Sequence, residues 1–114
     1  MRLARAMADK ITRYADFWPY YLREHGKPVT RALHYVGSFL TMWFLLIAVG
    51  AGGWWWVMVP VSGYGFAWLA HFTVEKNKPA TFTYPLWSLV SDFRMFFLWL
   101  FGRLDPHLRR AGIA

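Results

Sequence analysis

The chain has 114 residues, room for one domain; 57% are hydrophobic, 17% are charged, and there is no cysteine. So small a water-soluble domain has too much surface to leave so little of it polar, whereas lipid covers apolar surface freely; the missing cysteines exclude disulfides, thiolate metal sites and cysteine nucleophiles. The net charge of +7 sits on residues that flank apolar segments rather than line one face, which argues against nucleic acid as a partner and for topology signals and anionic lipid.

Residues 3–22 read as an amphipathic helix. Leu3, Met7, Ile11, Tyr14, Trp18 and Tyr21 recur at steps of three and four, with charged residues mostly between them. Such a helix suits the membrane interface. Pro19 is expected to end or kink it. The basic start does not lead into an apolar core, because Asp9, Lys10, Arg13 and Asp16 interrupt it, so no signal peptide is expected. Glu24–Arg31 is a polar connector carrying His25, Gly26 and Pro28.

The 43 residues from Ala32 to Val74 contain no Lys, Arg, Asp or Glu. One helical span needs roughly 20 residues, so this stretch is about two spans long. Gly50, Gly52 and Gly53 interrupt it where helix preference is weakest. The expectation is a transmembrane helical hairpin, residues 30–49 out and 54–74 back. All 13 Lys and Arg lie outside the Ala32–Val74 stretch. The positive-inside rule then puts both hairpin ends in the cytoplasm and the glycine turn outside. The expected location is the bacterial inner membrane.

Lys76–Tyr84 forms a second polar connector. Residues 86–101 form a third apolar helix, interrupted by Asp92 and Arg94. Two charges within a span are costly unless they pair or face a polar interior, so this segment is read as a span or a deep re-entrant helix packed on the hairpin. The tail from Asp105 reads as solvated. The fold class is therefore an all-α integral membrane protein, one domain over residues 1–114. A bundle this small buries little surface between its helices, and a homo-oligomer is a reasonable expectation.

His34 lies 18 residues before Gly52 and His71 lies 18 after Gly53. Eighteen helical residues rise about 27 Å, so an antiparallel hairpin sets both histidines at one depth on the cytoplasmic side. That reasoning gives depth but not rotation. Glu75 follows His71 by four, a spacing that shares a helix face. His25 lies in the connector just before the first span. Imidazoles with one carboxylate suit non-haem Fe(II), and equally Zn. The competing readings are a polar anchor or helix cap for each histidine, and an ion pair for His71 with Glu75. The serines show no nucleophile elbow, and four histidines in all are too few for a desaturase-type di-iron cluster.

The run Phe17-Trp18-Pro19-Tyr20-Tyr21 with His25, His34 and Gly37 resembles the opening of the Mpo-type 2-hydroxy-fatty-acid dioxygenase family. His71-Phe72-Thr73-Val74-Glu75-Lys76-Asn77-Lys78-Pro79-Ala80 resembles its His-x-x-x-Glu-Lys-x-x-Pro-Ala signature. The resemblance covers roughly residues 14–100. It implies a membrane-embedded Fe(II)-dependent dioxygenase that shortens a 2-hydroxy fatty acid by one carbon in fatty-acid α-oxidation. His25, His34 and His71 would hold the metal. Glu75 would be a further ligand or would orient His71. Lys76 and Lys78 could receive the substrate carboxylate, or could simply be topology charges. The alternatives from other classes are a non-catalytic membrane protein with a structural metal or haem, and a lipid-binding scaffold without metal.

Overall fold

The structure is a computed structural model that describes residues 11–78 and 82–113. Residues 3–10 of the expected amphipathic helix, and Pro79 and Ala80 of the signature, lie outside the described residues. Everything regular among the described residues is helical: α1 (Tyr14–Arg23), α2 (Pro28–Ala51), α3 (Trp55–Leu69), a π-helical continuation (Ala70–Glu75), α4 (Pro85–Leu100) and α5 (Asp105–Arg110).

Pro28 and Pro85 stand at the starts of α2 and α4. Proline's fixed φ and missing N–H cost nothing at that position. Pro19 does not end the helix: it sits inside α1, which runs on to Arg23. Phe17, Trp18, Tyr21 and Leu22 of α1 are all buried. Burying such side chains stabilises by roughly 1.5–3 kcal/mol each, more in sum than the ~3 kcal/mol cost of an internal proline.

The hairpin forms where the charge pattern places it. α2 runs two residues beyond its expected end and stops at Gly52. Gly52 and Gly53 take φ of 69° and 65°, left-handed values that favour glycine. α2 and α3 then pack through small residues. A methyl group on Gly37 would come within 3.1 Å of Phe66 Cβ and of the Ser62 carbonyl, and one on Gly63 within 2.9 Å of Thr41 Oγ1. This is the close backbone approach that small residues permit between packed helices. Gly65 faces open space and takes no part.

Pro28–Ala51 and Trp55–Glu75 are long and apolar enough to cross a membrane, and only 28% and 22% of their most apolar stretches are buried. Phe39, Trp43, Leu46 and Val49 on α2, and Val57, Val61 and Leu69 on α3, are exposed.

A second packing centre lies beside the hairpin. Phe17, Trp18, Tyr21 and Leu22 of α1 meet Met95 of α4 and Leu104, Leu108 and Ala111 around α5. The tail is thus not a solvated extension: it folds back as α5, and Trp18 Nε1 donates to His107 Nδ1 at 3.1 Å. The two charges of α4 also face α1. Asp92 accepts a hydrogen bond from Tyr21 Oη. The Arg94 guanidinium lies 4.1 Å from the Trp18 ring centroid, a cation–π contact. They do not pair with one another; each has its own partner on α1.

Candidate metal centre

Three elements bring one histidine each to a single point. His25 follows the end of α1, His34 lies in the second turn of α2, and His71 lies in the π-helical continuation of α3. All three are buried, and the ring nitrogens they offer lie within 4.8 Å of one another. His25 Nε2 is 3.0 Å from His34 Nε2 and 3.0 Å from His71 Nε2. The rings are mutually upright, with interplanar angles of 79–83°, so their edges and not their faces converge.

The opposite nitrogen of each ring has its own partner. His25 Nδ1 donates to the Tyr21 carbonyl at 2.6 Å, His34 Nδ1 to the Thr30 carbonyl at 2.8 Å, and His71 Nδ1 to Asn77 Oδ1 at 2.7 Å. A carbonyl only accepts, so Nδ1 carries the proton in the neutral ring. The Asn77 amide is oriented by Glu24: its Nδ2 donates to the Glu24 carbonyl at 3.2 Å and to Glu24 Oε1 at 3.1 Å. All three Nε2 lone pairs therefore point into one buried space. Two lone pairs 3.0 Å apart cannot bond to each other; a cation satisfies all three at once. Burial first, then the charge that His34 and His71 would carry, hold His25 well below its ordinary pKa, which keeps it a neutral ligand. The donor set, tautomers fixed through Nδ1 and nitrogen edges converging, could hold a metal ion.

The local chain geometry explains how His71 is held. The π-helical turn ends at Lys76, which takes φ 60°. That left-handed residue turns the chain back, and Asn77 N–H donates to the His71 carbonyl at 2.8 Å. The Asn77 side chain then lies against the His71 ring. Sequence reasoning gave Asn77 no role of its own; it stood only as one letter of the signature, because six-residue spacing on an α-helix points away from His71. It also gave none to Tyr21, whose ring stacks on His25 at 4.1 Å, or to Glu24.

Glu75 lies apart from the three histidines in its contacts. Its Oε2 accepts from the Lys27 backbone N–H at 2.7 Å, and Lys27 Nζ donates to the Val74 carbonyl at 2.9 Å. Lys27 is the residue that opens α2. A carboxylate there satisfies an orphan N–H and meets the positive end of the helix dipole. Glu75 thus ties together the two hairpin ends. Burial first, and then Glu75, raise the pKa of Glu24. Lys76 and Lys78 are exposed, with Lys78 Nζ 5.9 Å from the Phe82 ring centroid.

The fold and this site define a helical protein whose apolar hairpin carries a buried three-histidine centre able to hold a metal ion. The match to a family model is in keeping with that. Residues 11–104 match the Mpo1-like model, described as 2-hydroxy-palmitic acid dioxygenase Mpo1-like, and the chain belongs to that family. No curated protein and no solved structure matches the chain.

Proposed function

We propose that the protein is a membrane-embedded, Fe(II)-dependent dioxygenase that shortens 2-hydroxy fatty acids by one carbon, as in fatty-acid α-oxidation. The observation that carries this reading is the convergence of three neutral Nε2 atoms of His25, His34 and His71, each with its Nδ1 proton committed elsewhere. The family's name supports the substrate class and dioxygenase chemistry; the one-carbon shortening is our reading from the resemblance. His25, His34 and His71 would hold the iron, which would supply Lewis-acid and redox chemistry that side chains lack.

The rest falls to the chain itself. Tyr21, Thr30 and Asn77 hold the three rings in one tautomer and one orientation. The buried setting keeps bulk water from the centre. Lys76 and Lys78 are the cations we assign to the substrate carboxylate at the membrane rim. Glu75 supports the site by fixing the start of α2 against the end of the hairpin's returning arm. The apolar exterior of α2 and α3 suits lipid, and the distribution of Lys and Arg supports an orientation with the histidine end on the cytoplasmic side; we assign the membrane as a bacterial inner membrane.

The test is metal analysis of detergent-purified protein, combined with oxygen uptake on 2-hydroxypalmitate under air. Stoichiometric iron and uptake that vanishes in His34→Ala and His71→Ala support the reading. Zinc with no uptake assigns the centre a structural role instead.

A further inference from the structure

A cavity of about 220 Å³ lies between α2, α3 and α4, with His34 of the three-histidine centre in its wall. Its walls include His34 and Thr41 of α2, Val59 and Gly63 of α3, and Leu89 and Asp92 of α4. It exceeds the roughly 150 Å³ at which apolar cavities take up benzene-sized ligands. Thr41 Oγ1, although polar, is spent on the Gly37 carbonyl at 2.7 Å. Gly63 leaves the wall thin, since a methyl group there would press on Thr41. From His34 to Thr41 the cavity follows α2 for about 10 Å of helix rise, and exposed Leu89 marks its way out to the apolar exterior.

Asp92 stands out in this lining as its carboxylate. Its hydrogen bond comes from Tyr21 Oη, whose ring also stacks on His25. Among the described residues its other oxygen has no hydrogen-bond partner. A carboxylate beside the metal ligands, at the head of an apolar cavity, needs a donor from whatever enters. A hydroxyl on the carbon next to the reacting head group is such a donor. A plain methylene in the same place leaves the carboxylate desolvated and unpaired.

We infer that this cavity is the acyl-chain subsite of the proposed reaction, and that Asp92, held by Tyr21, is the specificity residue that accepts the hydrogen bond of the substrate's 2-hydroxyl. The inference rests on the reading that the substrate head lies at the three histidines. The chain runs from His34 towards Thr41 and leaves past Leu89 into lipid, so the cavity selects for the hydroxyl and is tolerant of chain length.

Binding of radiolabelled palmitate and 2-hydroxypalmitate, measured by scintillation proximity on the protein in nanodiscs under nitrogen, tests this without turnover. The native protein should prefer 2-hydroxypalmitate by about 10- to 100-fold, the range for a hydrogen bond to a charged group. Asp92→Asn, whose amide oxygen can still accept from Tyr21 Oη, should lose most of that preference, with metal content measured alongside. Leu89→Trp, which narrows the exit without touching the α2–α3 contact, should weaken both ligands together. Equal binding of the two acids by the native protein, or a preference that survives in Asp92→Asn, overturns the inference. Should Asp92→Asn fail to fold, undiminished binding of both acids by Leu89→Trp overturns it. Failure of the dioxygenase reading looks different: no iron and no oxygen uptake, with the binding preference intact.

Discussion

Replacing Asn77 by alanine removes the acceptor that holds the His71 ring, and the cost can be worked from the contacts around it. His71 Nδ1–H loses its 2.7 Å partner. His71 is almost fully buried, at 2% exposure, so water does not readily replace that acceptor. The imidazole is then free to move its proton to Nε2, the nitrogen that faces His25, and in that tautomer it cannot ligate. Loss of such a supporting partner lowers metal affinity by about 10–100-fold, or roughly 1.4–2.8 kcal/mol at 1.4 kcal/mol per tenfold. Glu24→Ala is the graded companion. It removes one of the two acceptors that orient the Asn77 amide and leaves the Glu24 backbone carbonyl in place, so its effect should be smaller than that of Asn77→Ala. Competition against a chelator of known affinity, with metal quantified after desalting, measures both. Equal metal affinity in the native protein and Asn77→Ala would refute the assignment of His71 Nε2 as a ligand.

Three other outcomes follow from the same contacts. Removing the metal by chelation should lower the thermal midpoint, because a ligand at 1,000 times its Kd stabilises by about 4.1 kcal/mol; a His25→Ala/His34→Ala/His71→Ala variant should show no such shift in a melting series with and without chelator. Gly37→Ala places a methyl group 3.1 Å from Phe66 Cβ and the Ser62 carbonyl, and overpacking of this kind costs about 1–3 kcal/mol; steric trapping in micelles should read the loss, while Gly65→Ala, facing open space, should be close to neutral. Glu75→Ala uncaps the start of α2, a change worth about 0.5–2 kcal/mol, and should speed hydrogen exchange at the Lys27 amide; unchanged protection there would mean that Glu75 does not hold the two hairpin ends together.

The hairpin could be read from the sequence because charge and glycine act on length scales that a sequence displays. A 43-residue stretch without Lys, Arg, Asp or Glu and two glycines with positive φ specify two antiparallel helices with little help from tertiary context. The common depth of His34 and His71 follows from that alone. Their rotation does not, because it depends on how Gly37 and Gly63 seat the two helices against each other. Asn77 was invisible as a partner for a related reason. Its place beside His71 needs both a π-helical turn and a left-handed Lys76, and a periodicity of 3.6 predicts neither. The tail was misread, and α1 runs on past Pro19, because tertiary packing overrides local rules: Trp18 and Leu22 bury against Leu104, Leu108 and Ala111, which both carries α1 across its proline and folds the tail into α5.

The architecture also explains why the two hairpin helices alone do not make this centre. A hairpin offers two histidines at one depth, and a third nitrogen must come from outside it. His25 supplies that nitrogen from a polar connector, a segment that by itself would leave the ring mobile. Two constraints remove that freedom. From one side, the Tyr21 carbonyl takes the Nδ1 proton and the Tyr21 ring stacks on the imidazole. From the other, Arg31 of α2 donates to the His25 and Gly26 carbonyls at 2.9 and 3.0 Å, clamping the connector to the helix that carries His34. Tyr21 in turn is held by Asp92 of α4 and stacked on Trp18, and Trp18 by Arg94 and His107. The aromatic cluster beside the hairpin is therefore the device that places the third histidine, and the two charges of α4 that look misplaced in an apolar helix are the groups that hold it there.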